Sequence, residues 1–269
     1  MNNVIISLGC SFLTGIGNWE RKALIEYEKG KLEEPLLHAK SYKNFLNYSI
    51  GTQLARNLNF DEHHNFSLGG SSVKHQLIHF FKHFKPQNFK NKNVVFYYGI
   101  TYPNRNCTFI NDNLRTIHVD EERDSEFYRS FGETNTQVIQ KDTIQNQLVY
   151  IESVRSLCEA YNWKLILHPM VWDKTYYYQQ KLSNNQYRNF QEVWVDKWLT
   201  PYEDEYLSFC GHPNTDGYKI WADNLIDYVS KFDFEIPEKP NRDTIYCINY
   251  NEELEIEAKR NDFKQGLII

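Results

Sequence analysis

The sequence predicts an α/β protein with a three-layer αβα architecture around a mostly parallel central sheet. Short apolar, β-rich runs alternate along the chain with segments whose apolar residues recur at helical spacing. The strand-like runs at Asn3–Leu8 and Val94–Tyr98 are each followed by a glycine, and a third run lies at Trp163–His168. This alternation is typical of strands joined by helical crossovers, which place successive strands parallel to one another.

The remaining elements follow from the same two patterns. A further strand is predicted at Asn65–Leu68, where the glycine pair at 69–70 ends it. Four other segments have helical spacing, namely Tyr48–Asn57, Val73–Phe84, Ile144–Tyr161 and Pro213–Phe232. A last run, Thr244–Ile248, has strand character.

One domain is expected to cover residues 1–269, because the sequence contains no internal repeat and no flexible linker. Three segments interrupt the alternating pattern and are interpreted as insertions. They are an irregular, charge-rich segment at about 18–47, a polar connection without clear period at 100–142 and an aromatic-rich segment at 172–206. Residues 233–269 form a C-terminal tail. Connections as long as the second are often functional.

Composition narrows the classes of partner. A net charge of −5 argues against the broad basic face of a nucleic-acid-binding protein. The sequence has no apolar run of about 20 residues and no signal-peptide pattern at its start, so neither a membrane partner nor secretion is expected. Five cysteines without paired spacing indicate reduced thiols, and a cytoplasmic location is expected.

Two candidate catalytic side chains lie where a parallel sheet binds its ligands, at the carboxyl ends of the strands. Ser11 follows the first strand within a turn bounded by Gly9 and Gly15, and His212 precedes the last predicted helix. A serine hydroxyl is a weak nucleophile until a base takes its proton, and His212 is the candidate base. The unshielded N–H of Gly70, together with that of Ser11, would form a two-donor oxyanion hole.

At this point the sequence resembles the SGNH (GDSL-like) hydrolases. The segment GCSFLTG resembles their first conserved block, with Ser11 at the nucleophile position. Asn65–Gly70 resembles the second block, whose glycine donates to the oxyanion, and HPNTDGY resembles the last block, with His212 as the histidine. The resemblance covers roughly residues 3–106 and 163–230. It implies an SGNH, flavodoxin-like fold and a serine hydrolase that needs no cofactor, and the nearest likeness is to divergent phage and environmental-bacterial proteins.

The sequence departs from this family pattern at three places. Cys10 stands where the family usually has an aspartate, and Thr101 stands where it has an asparagine that donates to the oxyanion. Asn104 is close by and is the candidate replacement donor. Phe209 stands where the family has the third triad member, three residues before the histidine. We therefore expect a Ser–His dyad with slow turnover, in which a backbone carbonyl or a water holds the second ring nitrogen of His212.

The favoured function is that of a serine esterase acting on a small acyl ester, with an O-acylated sugar suggested only by family analogy and by the aromatic insertion. The alternative from another class is a non-catalytic SGNH-fold binding protein or a virion-associated protein. An acyltransferase on the same fold is a weaker third interpretation. Arg105, Thr101 and Trp172 are candidate substrate-binding residues. Arg105 would bind a carboxylate or phosphate, or only pin its loop. The aromatic insertion would line a pocket wall, or only pack onto the sheet.

Three histidines, His75, His79 and His83, recur every four residues on the predicted helix Val73–Phe84, a spacing compatible with a metal site. No carboxylate pattern accompanies them, and neighbouring lysines would repel a cation. The favoured interpretation is a solvated polar stripe, so no metal and no cofactor are expected.

Overall fold

The computed structural model describes residues 2–101, 105–110, 113–118, 136–170, 175–182, 191–200, 203–233 and 245–250. Its centre is a six-stranded sheet in which every pair of neighbours is parallel. The strands of this sheet are β1 (Asn3–Leu8), β2 (Glu62–Asn65), β3 (Asn93–Ile100), β6 (Lys164–Pro169), β7 (Glu192–Trp194) and β8 (Tyr246–Asn249), in the order β7-β6-β3-β1-β2-β8. A separate antiparallel hairpin pairs β4 (Arg105–Ile110) with β5 (Asn113–His118).

Helices cover both faces of this sheet. They are α1 (Ser11–Thr14), α2 (Arg21–Glu28), α3 (Glu34–Tyr48), α4 (Ile50–Asn57), α5 (Val73–His83), α6 (Thr136–Tyr161), α7 (Thr175–Leu182) and α8 (Thr215–Val229). Short 3₁₀ turns lie at Pro86–Phe89 and Asp204–Tyr206. No described helix has the length and apolar character needed to cross a membrane.

Successive side chains of each strand point to opposite faces of the sheet, so the core is divided into two layers. On one face, Ile5, Val95 and Ile166 pack with side chains of α4 and α8, including the fully buried Trp221. On the other face, the strand residues of opposite parity pack with side chains of α5 and α6, and these strand residues include Val4, Ile6, Phe96 and Leu165. Strands buried on both faces by helices are the arrangement that the sequence predicted, so the αβα prediction is confirmed.

The strand order places a topological switch at β1. The chain runs from β1 outward to β2 on one side, and then crosses back to β3 on the other. Where the connections from two neighbouring strands run to opposite sides of the sheet, a crevice forms outside the carboxyl ends of those strands. Ser11 and Thr101 follow the two strands that flank this crevice, β1 and β3.

The prediction of an irregular insertion at 18–47 is wrong, because this segment forms α2 and α3. The carboxylate of Glu20 caps α2 by accepting from the N–H of Ala23 at 2.7 Å. In α3 the buried positions Leu37, Ser41 and Phe45 recur every four residues. This apolar stripe is narrow and interrupted by a serine, so the surrounding charges masked it in the sequence.

The strand predicted at Asn65–Leu68 is also displaced, since β2 ends where that prediction begins. Its residues are Glu-His-His-Asn, a composition that disfavours a buried strand. His63, His64 and Asn65 are nevertheless buried, because their polar groups are hydrogen-bonded within the fold. His64, for example, bonds the hydroxyl of Tyr250 and the carboxylate of Glu62.

The 100–142 connection contains the hairpin β4–β5 and the start of α6. Neither element was predicted, because the sequence of this segment has no clear period. The strand predicted at Thr244–Ile248 is present as β8, which begins two residues later and pairs with β2.

Candidate active site

Ser11 is the first residue of α1, two residues after Gly9 leaves β1. The turn is tight because a Cβ on Gly9 would lie 2.8 Å from the side chain of Leu13 and 3.1 Å from the carbonyl of Gly99. The Thr14 hydroxyl donates to the carbonyl of Ser11 at 2.7 Å and closes the turn from the other side. Ser11 is left 9% exposed, at the carboxyl edge of the sheet.

His212 sits at the end of a short antiparallel turn that precedes α8. Leu207 and Pro213 form a β-bridge, and the N–H of Gly211, at φ +74°, donates to the carbonyl of Ser208. The carbonyl of His212 accepts from the Ser208 N–H at 2.8 Å and from its hydroxyl at 3.0 Å. The backbone of His212 is therefore fixed on one side by two hydrogen bonds.

The structure brings these two side chains together across 201 positions of sequence. Nε2 of His212 lies 2.7 Å from Oγ of Ser11, within the distance at which a base abstracts a proton. The pKa of His212 is lowered to about 4, mainly by burial and also by the positive charges of Arg105 and His38, whereas a hydrogen bond with the Cys210 backbone acts in the opposite direction. The imidazole is therefore neutral near pH 7, the form that can accept a proton.

Contacts between α8 and the segment after α1 hold the pair in register. The Tyr218 hydroxyl donates to the carbonyl of Ile16 at 3.0 Å, and the Thr215 hydroxyl donates to Oδ1 of the buried Asn18 at 2.9 Å. Gly17 has φ +113°, and a Cβ there would lie 2.2 Å from the carbonyl of Pro213. Only a glycine allows these two backbone segments to approach this closely.

The glycine turn after β2 lies beside Ser11. A Cβ on Gly69 would lie 4.0 Å from Cβ of Ser11, whereas a Cβ on Gly70 would meet nothing within 4 Å. Gly70 adopts φ +65°, a backbone conformation that favours glycine. Within the described part of the chain, neither the N–H of Ser11 nor that of Gly70 has a hydrogen-bond acceptor. Both N–H groups are thus uncommitted to a protein acceptor among the described residues.

The other predicted site residues divide into two groups. Asn104 and Trp172 lie outside the described residues. Thr101 is buried at the end of β3, and Nη1 of Arg105 donates to its hydroxyl at 3.3 Å. The guanidinium of Arg105 is near enough to His212 for its charge to lower the pKa of the imidazole, so Arg105 borders the same crevice.

The Nδ1 side of His212 faces Cys210, a residue that sequence reasoning did not connect to the site. Sγ of Cys210 lies 3.3 Å from Nδ1, and among the described residues no carboxylate bonds to the imidazole. Phe209, at the position of the family's acid, points away and stacks between the rings of Trp19 and Tyr27. Asp216 is 70% exposed at its side chain and pairs with Lys219.

The aromatic-rich segment 172–206 is not only an insertion, because its described residues include β7, a strand of the central sheet that pairs with β6. The ring of Trp198 lies 5.3 Å, centroid to centroid, from both Phe12 and Trp221. The ring of Phe12 in turn lies 4.7 Å, centroid to centroid, from the ring of His212. Trp198 therefore contacts the histidine indirectly, through Phe12. The described residues contain no cluster of three metal-ligating side chains, at the helical histidines or elsewhere.

No family model matches the sequence, and no curated protein matches it significantly. The chain has a distant structural similarity to solved proteins that include the following two. An acetyl xylan esterase from the rumen bacterium Butyrivibrio proteoclasticus is 13% identical, with a TM-score of 0.47, and the match covers 84% of this chain and 63% of the esterase. A protein from Arabidopsis thaliana is 13% identical, with a TM-score of 0.39, and the match covers 86% of this chain and 100% of that protein. The chain thus spans less than two thirds of the length of the esterase that it resembles.

Proposed function

We propose that this chain is a serine esterase in which Ser11 is the nucleophile and His212 is the general base. The observation that carries the proposal is the 2.7 Å contact between Nε2 of His212 and Oγ of Ser11 at the carboxyl edge of the parallel sheet. A neutral imidazole in this contact can take the serine proton as the oxygen attacks an ester carbonyl.

The chemical steps require no group beyond these side chains, the substrate and water. Oγ of Ser11 forms a bond to the acyl carbon while its proton passes to Nε2, and the carbonyl oxygen becomes an oxyanion. When the tetrahedral intermediate collapses, the ester C–O bond breaks and the leaving alcohol takes the proton from His212. Water then attacks the acyl-enzyme and gives a proton to His212. When this second tetrahedral intermediate collapses, the bond between the acyl carbon and Oγ breaks, Oγ takes the proton back from His212, and the acid is released.

The oxyanion would be held by the N–H groups of Ser11 and Gly70, with Asn104 as the predicted side-chain donor. Two observations support this assignment. Both backbone N–H groups lack acceptors in the described part of the chain, and Gly69, which directly precedes Gly70 in the sequence, lies beside Ser11. Donors already oriented toward developing charge lower the barrier without reorganising, and each contributes about 10²–10³ in rate.

The proposed substrate class is a small acyl ester, with acylated sugars as the first candidates to assay. The 9% exposure of Ser11 favours a short acyl group over a long chain. Arg105 and Thr101 border the crevice and are the candidate contacts for polar parts of the substrate.

A fluorophosphonate probe tests the proposal directly, because it labels only an activated serine. The full chain should become labelled and should hydrolyse a short activated ester, and Ser11→Ala should abolish both signals. Ser7→Ala is the matched control, since Ser7 lies on β1, four residues before Ser11, but is fully buried. Absence of labelling in the folded wild-type chain would favour the non-catalytic binding protein instead.

A further inference from the structure

The turn before α8 contains a second hydrogen-bonded chain behind the imidazole. Sγ of Cys210 lies 3.3 Å from Nδ1 of His212 and 3.0 Å from Oγ of Ser208. Oγ of Ser208 in turn lies 3.0 Å from the carbonyl of His212. The three side chains and this carbonyl thus form a short closed loop beside the proposed base.

Once the Ser208 hydroxyl donates to the His212 carbonyl, counting protons along this loop gives one consistent direction for each of the other bonds. The Ser208 hydroxyl has one proton, which it donates to the His212 carbonyl, because a carbonyl can only accept. Toward Cys210 the Ser208 oxygen must therefore accept, so the thiol donates its proton to that oxygen. The sulfur then faces Nδ1 with a lone pair, and Nδ1 must carry the ring proton.

We propose that Cys210, oriented by Ser208, is a positioning residue that holds His212 in the tautomer needed for catalysis. With the proton on Nδ1, Nε2 presents a lone pair to the hydroxyl of Ser11. Fixing this tautomer is one of the two tasks that a triad carboxylate performs. This inference rests on the proposed function of Ser11 and His212.

The second task of a triad carboxylate, stabilising the imidazolium that forms during attack, has no counterpart in a neutral thiol. The carbonyl of Cys210 shares the first task, because the Cys210 backbone also hydrogen bonds the ring. Both acceptors on this residue specify the same tautomer, so the side chain and the backbone act together. The site is thus oriented like a triad but lacks its negative charge.

Four variants separate the contributions of the thiol, the carbonyl and the missing charge, and their effects are expected in kcat. KM should change little, because Cys210 contacts the Nδ1 side of His212 and not the substrate. Cys210→Ala removes the thiol but keeps the carbonyl, and kcat should fall about tenfold, the size of one modest hydrogen bond. Cys210→Ser keeps a donor and acceptor but shortens the reach, and should recover part of the loss. Cys247→Ala is the control cysteine, outside the site, and should leave kcat unchanged.

Cys210→Asp supplies the missing charge and is the decisive variant. A carboxylate reaches further from Cβ than a thiol and can accept from Nδ1 at about 2.7–2.9 Å. It should raise kcat at least about tenfold above wild type, and should move the acid limb of the rate profile to higher pH because a negative charge favours the imidazolium. A Cys210→Asp rate at or below that of Cys210→Ala overturns the proposal, provided that thermal melts show both variants folded.

Nuclear magnetic resonance of ¹⁵N-labelled histidine reads the tautomer without requiring any turnover. Wild-type His212 at pH 7 should show a protonated Nδ1 and a bare Nε2, and Cys210→Ala should show a mixture of the two tautomers. An Nε2-protonated ring in wild type, or an unchanged tautomer and kcat in Cys210→Ala, overturns the role of the thiol. Loss of the proposed esterase function would appear separately, as hydrolysis that does not depend on Ser11.

Discussion

Among the described residues, two serine–histidine pairs have the same contact distance, but only one of these two pairs lies at the carboxyl edge of the sheet. Nε2 of His63 lies 2.7 Å from Oγ of Ser7, the distance that also separates His212 from Ser11. Both serines belong to β1 or to the turn that follows it. The Ser7–His63 pair lies inside the sheet, whereas the Ser11–His212 pair lies past the strand ends.

The interior pair is saturated by other protein groups. The Ser7 hydroxyl also bonds Oδ1 of Asn65, and Nδ1 of His63 lies 2.9 Å from the hydroxyl of Thr52. Both Ser7 and His63 are fully buried, and burial lowers the pKa of His63 to about 3. At the other pair, the backbone donors near Ser11 have no acceptor in the described residues. The two pairs therefore share a contact distance but differ in burial and in the backbone donors around them, and the proposed function assigns reactivity to the Ser11–His212 pair alone.

The largest expected difference between the pairs is seen when each histidine is removed. His212→Ala should lower kcat/KM by about 10²–10⁴-fold through loss of the base. His63→Ala should leave the rate per folded molecule unchanged but lower the free energy of unfolding by about 1–3 kcal/mol, because buried partners lose their hydrogen bonds. Ester hydrolysis and urea unfolding measured on both variants test this. Equal catalytic losses would show that the comparison misassigns the two pairs.

A glycine permits close approach of backbone to each pair, and alanine at either position should disturb its own pair. Gly17→Ala would place Cβ 2.2 Å from the Pro213 carbonyl, so it should displace His212 and reduce kcat about 10–100-fold. Gly51→Ala would place Cβ 2.1 Å from Nε2 of His63, so it should cost about 1–3 kcal/mol of stability while the folded fraction stays active. Kinetics corrected for folded fraction, with melting curves as the control, distinguish the two outcomes.

The two pairs should also respond differently to acid. Fully buried His63 and His168 have pKa values lowered to about 3, against 6.5 for an ordinary histidine. Between pH 6.5 and about 3 the unfolded chain binds protons that the folded chain excludes, so stability falls as pH falls, by about 1.4 kcal/mol per pH unit for each histidine. His212, with a pKa of about 4, should keep kcat/KM of the folded protein level down to about pH 5. The free energy of unfolding and the initial rate of ester hydrolysis are measured from pH 7 to 4. If both fall with the same pH midpoint, the predicted difference between the buried histidines and His212 does not exist.

A smaller effect is expected from the contacts that keep α8 against the segment after α1. Tyr218→Phe removes the hydrogen bond to the Ile16 carbonyl and should lower stability by about 1 kcal/mol, with at most about a tenfold loss in kcat. Tyr228→Phe is a comparable removal on the same helix, where the hydroxyl bonds Asp196. A change in kcat confined to Tyr228→Phe would contradict the assignment of Tyr218 as the residue that holds the two catalytic segments together.

The smallest expected effect belongs to Asp216. Its carboxylate is largely exposed and pairs with Lys219, not with the imidazole. Asp216→Asn should therefore change kcat by less than about twofold, since exposed pairs contribute little. A steady-state assay of this variant beside His212→Ala gives the contrast, and comparable losses would show that a carboxylate does serve the histidine.

The sequence was sufficient to predict β1, β3 and β6 and to place Ser11 and His212 at the carboxyl edge of the sheet, but it did not predict β7. Apolar strands such as Val94–Tyr98 and the glycine-bounded turn after β1 are local signals, and local signals survive in a single sequence. β2 was misplaced because its histidines are stabilised by distant partners such as Ser7 and Tyr250. No local pattern records such pairings.

The same reasoning explains what was missed at the site. Gly17 is required by a backbone segment nearly two hundred positions away, and Cys210 acts through a turn whose closure depends on Gly211 at positive φ. The stacking of Phe209 with Trp19 and Tyr27 could not be predicted, because the helices α2 and α3 were themselves not predicted from the sequence. Residues that contact each other across a fold carry no periodic signature, so they become visible only in the structure.

The pairing of β8 with β2 has a consequence for how the protein is made. β2 is synthesised early, but its outer neighbour is the last strand of the sheet along the chain. Until β8 arrives, one edge of β2 presents unpaired backbone donors and acceptors, the kind of edge that recruits strands from other molecules. Because chains emerge amino terminus first, a stalled or truncated nascent chain should be prone to aggregation and dependent on chaperones, even though its central strands can already fold.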